Sequence, residues 1–129
     1  MTRAILDSSA VIAFLKREQG GAKVREVITG AQICTVNIAE VVGHFVRNGT
    51  PMHVVDTMLK PFSQAIVGAD DALARKAGSL QAFTSSAGLS LGDRFCLAVA
   101  IRENLPAWTA DRQWMKVADA IGVEVVLIG

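Results

Sequence analysis

Hydrophobic positions along the chain follow two rhythms. Runs at residues 3–6, 32–35, 64–67, 107–109 and 124–128 are short, and several are rich in β-branched residues, as strands covered on both faces are. Between them lie longer stretches in which apolar residues recur every three or four positions. Residues 37–47 place Ile38, Val41, Val42 and Phe45 on one side, and residues 92–104 do the same with Leu97, Ala98 and Ile101. Both spacings predict core-facing helices. Thr50-Pro51 reads as an N-cap followed by proline at the first helical position, opening a helix over 51–60 that Pro61 stops. Gly30, Gly78 and Gly122 fall where helices are expected to end. Strands that alternate with helices predict a parallel sheet, because each crossover must carry its helix over one face. The expected fold is a three-layer, doubly wound α/β domain.

Composition narrows this picture. The 129 residues contain no repeat, low-complexity tract or linker-like segment, which predicts a single domain over residues 1–129. A mean hydropathy of +0.38 raises the question of a membrane. Charged residues nevertheless interrupt every apolar stretch well before the roughly 20 residues that a spanning helix needs. The start of the chain, with Arg3 and a short apolar pair before Asp7, lacks the long apolar region of a secretory signal, so a cytoplasmic location is expected. Cys34 and Cys96 sit in apolar runs without a Cys or His at metal-ligand spacing and are expected to be reduced core residues. A net charge of +1 argues against coating nucleic acid by bulk electrostatics but leaves room for a local basic patch. With no Tyr and 5% aromatic residues, no base-stacking platform is evident.

The candidate chemistry lies in the acids. In sheets of this class the functional crevice opens at the carboxyl ends of the strands, where the strand order reverses. Asp7 follows the first expected strand, and Glu40 lies one turn into the helix after the second. Asp93 opens the long helix before the fourth strand, and Asp111 follows that strand. Each acid has an ordinary explanation, since carboxylates at helix starts accept bonds from free N–H groups and complement the helix dipole. Ser90-Leu91-Gly92-Asp93 matches a capping box and Asn37-Ile38-Ala39-Glu40 resembles one, while Asp7 and Asp111 can be simple N-caps. Capping does not explain why carboxylates should cluster, because their repulsion makes ionisation costly. A hard divalent cation removes that cost. Acids without His or Cys nearby point to Mg2+ or Mn2+ rather than zinc.

The segments Ile5-Leu6-Asp7-Ser8-Ser9-Ala10, Asn37-Ile38-Ala39-Glu40-Val41, Leu89-Ser90-Leu91-Gly92-Asp93 and Thr109-Ala110-Asp111-Arg112 together resemble the PIN-domain family, and within it the VapC-type toxin ribonucleases. Each motif alone is weak; four in order, spanning nearly the whole chain, are specific. The resemblance implies a five-stranded parallel sheet in the order 3-2-1-4-5, with Asp7, Glu40, Asp93 and Asp111 beside the switch between strands one and four. It implies that these acids bind Mg2+ or Mn2+ for hydrolysis of RNA phosphodiester bonds. It further implies homodimerisation and a VapB-like antitoxin, supplied in trans, that competes with metal and RNA at the crevice. The family's hydroxyl positions match Ser8 and Thr109, for which local capping is an equal alternative.

Other residues carry two readings. Asp70 and Asp71 also follow an expected strand, but at the sheet's edge, so Asp70 is expected to cap and Asp71 to be solvated. Arg94, Arg112 and Lys116 can meet RNA phosphates or pair with Asp93 and Asp111. His44 and His53 read as exposed helix residues, His44 with a substrate contact open. Met52, Val55, Met58, Leu59, Trp108 and Trp114 read as core, with the helix stripe able to extend into a dimer or antitoxin surface. The rival to an enzyme is a non-catalytic PIN-like module that binds RNA or protein. A receiver domain would want an acid pair near strand one, and a haloacid-dehalogenase-like phosphatase a second Asp where Ser9 stands.

Overall fold

The computed structural model describes residues 3–129. In chain order the elements are β1 (Ala4–Leu6), α1 (Ser8–Leu15), α2 (Gly21–Arg25), β2 (Ala31–Cys34), α3 (Thr35–Arg47), α4 (Met52–Met58) and β3 (Ile66–Val67), then α5 (Asp71–Ser79), α6 (Gln81–Thr84), α7 (Leu91–Glu103), β4 (Ala107–Thr109), α8 (Ala118–Ile121) and β5 (Val125–Leu127). The five strands form one sheet in the order β3-β2-β1-β4-β5, and every adjacent pair is parallel.

Alternation along the strands sends side chains into two cores. Ala4, Leu6, Ile33 and Trp108 join Val11, Val24, Val41, Val55 and Phe62 on one face of the sheet. Ile5, Cys34 and Ala107 join Leu73, Leu97, Val99 and Trp114 on the other. Period-two strands with both parities apolar can bury themselves only in this way, with a helical layer over each face. Both cysteines are free and buried, as expected. Among the described residues, no helix is long and apolar enough to cross a membrane.

Several boundaries differ from expectation. The second strand ends at Cys34, and Thr35 already belongs to α3, two residues before the expected start. The third strand is only Ile66–Val67, as suits an edge with one neighbour. Thr50 does not cap α4. Pro51 occupies the N-cap position, and its carbonyl accepts from Val54 N–H and Val55 N–H at 3.0 and 3.1 Å. Only Gly122 of the three expected helix-ending glycines does so in a left-handed conformation, at φ +70°. Gly30 closes a 3-10 turn, and Gly78 lies inside α5, which runs on through right-handed Leu80 into α6. Of the expected core stripe, Val55 is fully buried whereas Met52 is exposed at 48%.

Trp114, fully buried in the 3-10 turn Arg112–Lys116, anchors the segment after β4 to the core beneath α7. Trp114→Ala is expected to destabilise the domain by about 3–5 kcal/mol. A urea unfolding midpoint within error of the parent's would contradict that packing role.

Candidate active site

The sheet order makes β1 and β4 neighbours whose chains continue onto opposite faces, and Asp7 sits at the end of β1. Asp7 is the N-cap of α1, with extended backbone at φ −85° and ψ 177°. Its Oδ1 accepts from Ala10 N–H at 2.8 Å and from Ser9 Oγ at 2.7 Å, and its Oδ2 accepts from Thr109 Oγ1 at 2.5 Å. The hydroxyls in turn accept from the chain beyond β4: Thr109 Oγ1 from Asp111 N–H at 3.0 Å and Ser9 Oγ from Ala110 N–H at 2.9 Å. Each hydroxyl has one hydrogen, and both are committed to Asp7. The 3.4 Å approach of Ser9 Oγ to Thr109 Oγ1 is therefore a contact between oxygens. The expected Ser8 hydroxyl has no part in this network; Ser9, one residue on, takes the place.

Asp7 is 3% exposed. Burial raises its pKa to about 6; the Thr109, Ser9 and Ala10 bonds oppose the rise, and the charge of Asp93 adds to it. Asp93 is half-buried and closes a full capping box: its Oδ2 accepts from Ser90 N–H at 2.8 Å, and Ser90 Oγ accepts from Asp93 N–H at 3.2 Å. Burial raises the Asp93 pKa as well, the Ser90 bonds lower it, Asp111 raises it and Arg94 lowers it. Asp111, exposed, N-caps the turn after β4 by accepting from Gln113 N–H at 2.9 Å.

Glu40 departs from the capping explanation. Helix α3 starts behind Cys34 with no side-chain cap, so Asn37-Ile38-Ala39-Glu40 is no capping box. Instead, Asn37 Nδ2 donates to Glu40 Oε1 at 2.9 Å and to Gly92 O at 3.0 Å, joining α3 to the first turn of α7. The buried Cys96 thiol lies among these groups: its pKa is pushed up by burial first, then by Asp7, Asp93, Cys34 and Glu40.

The structure thus places Asp93 where its charge raises the Asp7 pKa and Asp111 where its charge raises that of Asp93, and it ties Glu40 to the residue before Asp93. Among the described residues, no three Asp, Glu, His or Cys side chains stand close enough to form a ready-made metal cage. Asp7, Asp93 and Asp111 are related by charge and Glu40 by a hydrogen-bonded bridge, without a closed coordination shell among the described residues. Such an open set of oxygen donors fits Mg2+, which commonly takes one or two carboxylates and keeps several waters.

The remaining candidates separate cleanly. Asp70 caps α5, accepting from Leu73 N–H at 2.8 Å, and Asp71 pairs with Arg75 on the surface at 2.8 Å. Arg94 Nη1 donates to Leu89 O at 3.3 Å, while Arg112 and Lys116 are exposed. Among the described residues none of these three cations forms an ion pair, so pairing with Asp93 or Asp111 does not account for them. His44 is half-buried and packs edge-on to Phe45, and His53 is exposed. Sequence reading missed Ser9, Asn37 and Gly92. The interval from Asn37 to Glu40 was visible, but it resembled a cap.

The family model of the PIN domain matches residues 4–120. No curated protein gives a significant match. Among solved structures, the chain is similar to one in DNA-bound VapBC from Salmonella typhimurium, with 14% identity, coverage of 100% of both chains and a TM-score of 0.75. It is also similar to one in FitAcB from Neisseria gonorrhoeae, with 20% identity, coverage of 95% of each chain and a TM-score of 0.68. A third is Mycobacterium tuberculosis VapC20, described as a sarcin-ricin loop cleaving toxin, with 12% identity, coverage of 87% of this chain and 92% of that one, and a TM-score of 0.69. At these identities the likeness is one of fold.

A carboxyl whose pKa rises on folding holds its proton more tightly in the folded than in the unfolded state. Stability in chelator should therefore fall as pH rises from about 4 to about 6, the window set by Asp7. The loss attributable to Asp7 is on the order of 3 kcal/mol. Asp7→Asn should flatten the urea midpoint against pH across that window; an unaltered profile in the variant would assign the slope to other groups.

Proposed function

The chain belongs to the PIN domain family, and from that premise we propose that it is a metal-dependent endoribonuclease serving as the toxin of a toxin–antitoxin pair. The observation that carries this reading is the buried Asp7 carboxylate at the carboxyl end of the central strand, fixed at both oxygens, with Asp93 as its charged neighbour. Asp7, Glu40, Asp93 and Asp111 would hold Mg2+ or Mn2+, directly or through water. When bound, such an ion stabilises charge on phosphoryl oxygens and activates the attacking water.

The chain's own residues supply position. Ser9 and Thr109 orient Asp7, so that its hydrogen-bonded face is turned to the protein. Ser90 occupies one oxygen of Asp93 and Asn37 one oxygen of Glu40, and among the described residues the other oxygen of each accepts no hydrogen bond from the protein. Arg94, Arg112 and Lys116, without ion-pair partners, are placed in sequence beside Asp93 and Asp111 to meet RNA phosphates as the backbone is drawn in.

The chain is similar to one in VapBC-5 from Mycobacterium tuberculosis, a member of the VapBC family of toxin–antitoxin systems, and to one in the Salmonella typhimurium VapBC. By that likeness a VapB-like antitoxin is the proposed protein partner, a homodimer the proposed assembly and the cytoplasm the proposed location. The competing module that binds without cleaving draws on one observation, the lack of a closed three-carboxylate cage among the described residues. Turnover decides between them.

Purified chain is expected to cleave RNA with Mg2+ or Mn2+ and to stop in excess chelator. Asp93→Asn should abolish cleavage while its Oδ1 still accepts from Ser90 N–H, so folding stability should change by only about 1 kcal/mol or less. Full cleavage in chelator, or loss of activity only through unfolding of the variant, would overturn the metal reading. Expression alone should arrest growth, and co-expression with the product of a neighbouring reading frame should restore it with both chains retained in one complex. Harmless expression with RNA intact would remove the toxin assignment while leaving the fold.

A further inference from the structure

Three residues at the junction of α3 and α7 are each a poor local choice. Asn37 is 1% exposed inside a helix, where an amide is unfavourable both in propensity and in burial. Its Oδ1 is buried without a hydrogen-bond partner. Gly92 lies in the first turn of α7, where alanine has the better helix propensity, yet a Cβ there would fall on the Glu40 carboxylate. Glu40 is half-buried and accepts its one protein hydrogen bond, among the described residues, from Asn37.

Taken together the three choices become consistent. Asn37 Nδ2 has two hydrogens, and they go to Glu40 Oε1 and Gly92 O at 2.9 and 3.0 Å. Turning the amide over would set its oxygen against two acceptors, so the donor arrangement is dictated by the partners. Gly92 gives the carboxylate room to approach, and Asn37 fixes how near it comes. Asp93 is the next residue after Gly92, so the same amide sets the spacing between two of the acids.

We propose that Asn37 is a positioning residue that holds Glu40 at the metal crevice by tying its carboxylate to the first turn of α7. The inference rests on the reading of the four acids as a metal site. Asn37 acts through Glu40 and touches neither metal nor substrate. Outer partners of ligating carboxylates commonly change metal affinity by about 10–100-fold when removed.

The test is Mn2+ binding to the full chain without RNA, followed by electron paramagnetic resonance, in the parent, Asn37→Ala, Glu40→Ala and the double variant, with melting temperature in chelator measured alongside. Asn37→Ala should weaken Mn2+ binding about tenfold or more, and in the Glu40→Ala background it should weaken it no further. A merely structural role would lower affinity equally in both backgrounds. If Asn37→Ala does not fold, the near-isosteric Asn37→Leu enters the same cycle, and Gly92→Ala reads the contact from the other side with the same expected non-additivity. Additive losses, or unchanged Mn2+ affinity on removing Asn37, would overturn the positioning role while leaving the metal site standing. A parent chain that binds no Mn2+ would overturn the metal reading and this inference with it.

Discussion

A carboxylate taken out of water has to be compensated, and Asp7 is the point at which this fold meets that requirement. It lies at the end of the central strand, where two apolar cores meet and solvent is nearly absent. Three donors reach it: one backbone N–H from α1, one hydroxyl from α1 and one from the neighbouring strand β4. Those bonds do not fully offset desolvation, since the Asp7 pKa still lies near 6. They do fix geometry. Because Thr109 and Ser9 also accept from the backbone just beyond β4, the exit of that strand is fastened to Asp7, and the position of Asp111 follows from it. The exit of β4 is thus organised around a buried charge.

The four acids illustrate how capping and chemistry can share a side chain. A carboxylate has two oxygens with about four acceptor sites, and a cap consumes one or two of them. Asp93 and Asp111 each give one oxygen to the backbone, which sets rotamer and direction, and retain the other. The capping explanation is correct for Asp7, Asp93 and Asp111 and does not compete with metal binding. Asp70 shows the contrast: the same cap at the start of α5 stands beyond the sheet's edge strand β3.

Periodicity made the layers legible. Apolar residues of both parities in β1 and β4 announced a sheet covered on both faces, and Leu97 and Val41 marked the helices that cover it. Caps that depend on one residue and its third neighbour, such as Ser90 with Asp93, were legible because the interaction is local. Thr50 is not the cap because Pro51 is extended, at φ −61° and ψ 146°, which starts the helix one residue later than the Thr-Pro spacing implies. Ser9 in place of Ser8 is a matter of rotation by one residue at the helix start. Asn37 and Gly92 were illegible for a deeper reason. They serve each other across 55 positions of chain, and neither makes sense until the helices are packed.

Charge balance adds a final constraint on any polyanionic substrate. The formal net charge is only +1, so no global field draws RNA to the chain. Asp93 raises the Asp7 pKa and Asp111 that of Asp93, so on the proposed reading these carboxylates would repel phosphate without a cation. Arg94, Arg112 and Lys116, which form no ion pair among the described residues, offset this only at short range, because salt screens charges at the surface beyond about 8–10 Å. On the proposed function, a divalent ion bound by these acids would change the sign of the local field met by an incoming phosphate. Metal and RNA would then bind cooperatively through electrostatics alone, each lowering the repulsion or desolvation that the other faces. The same arithmetic makes a cationic side chain from a protein partner a direct competitor of the metal, since it satisfies the carboxylates while offering no route to activate water.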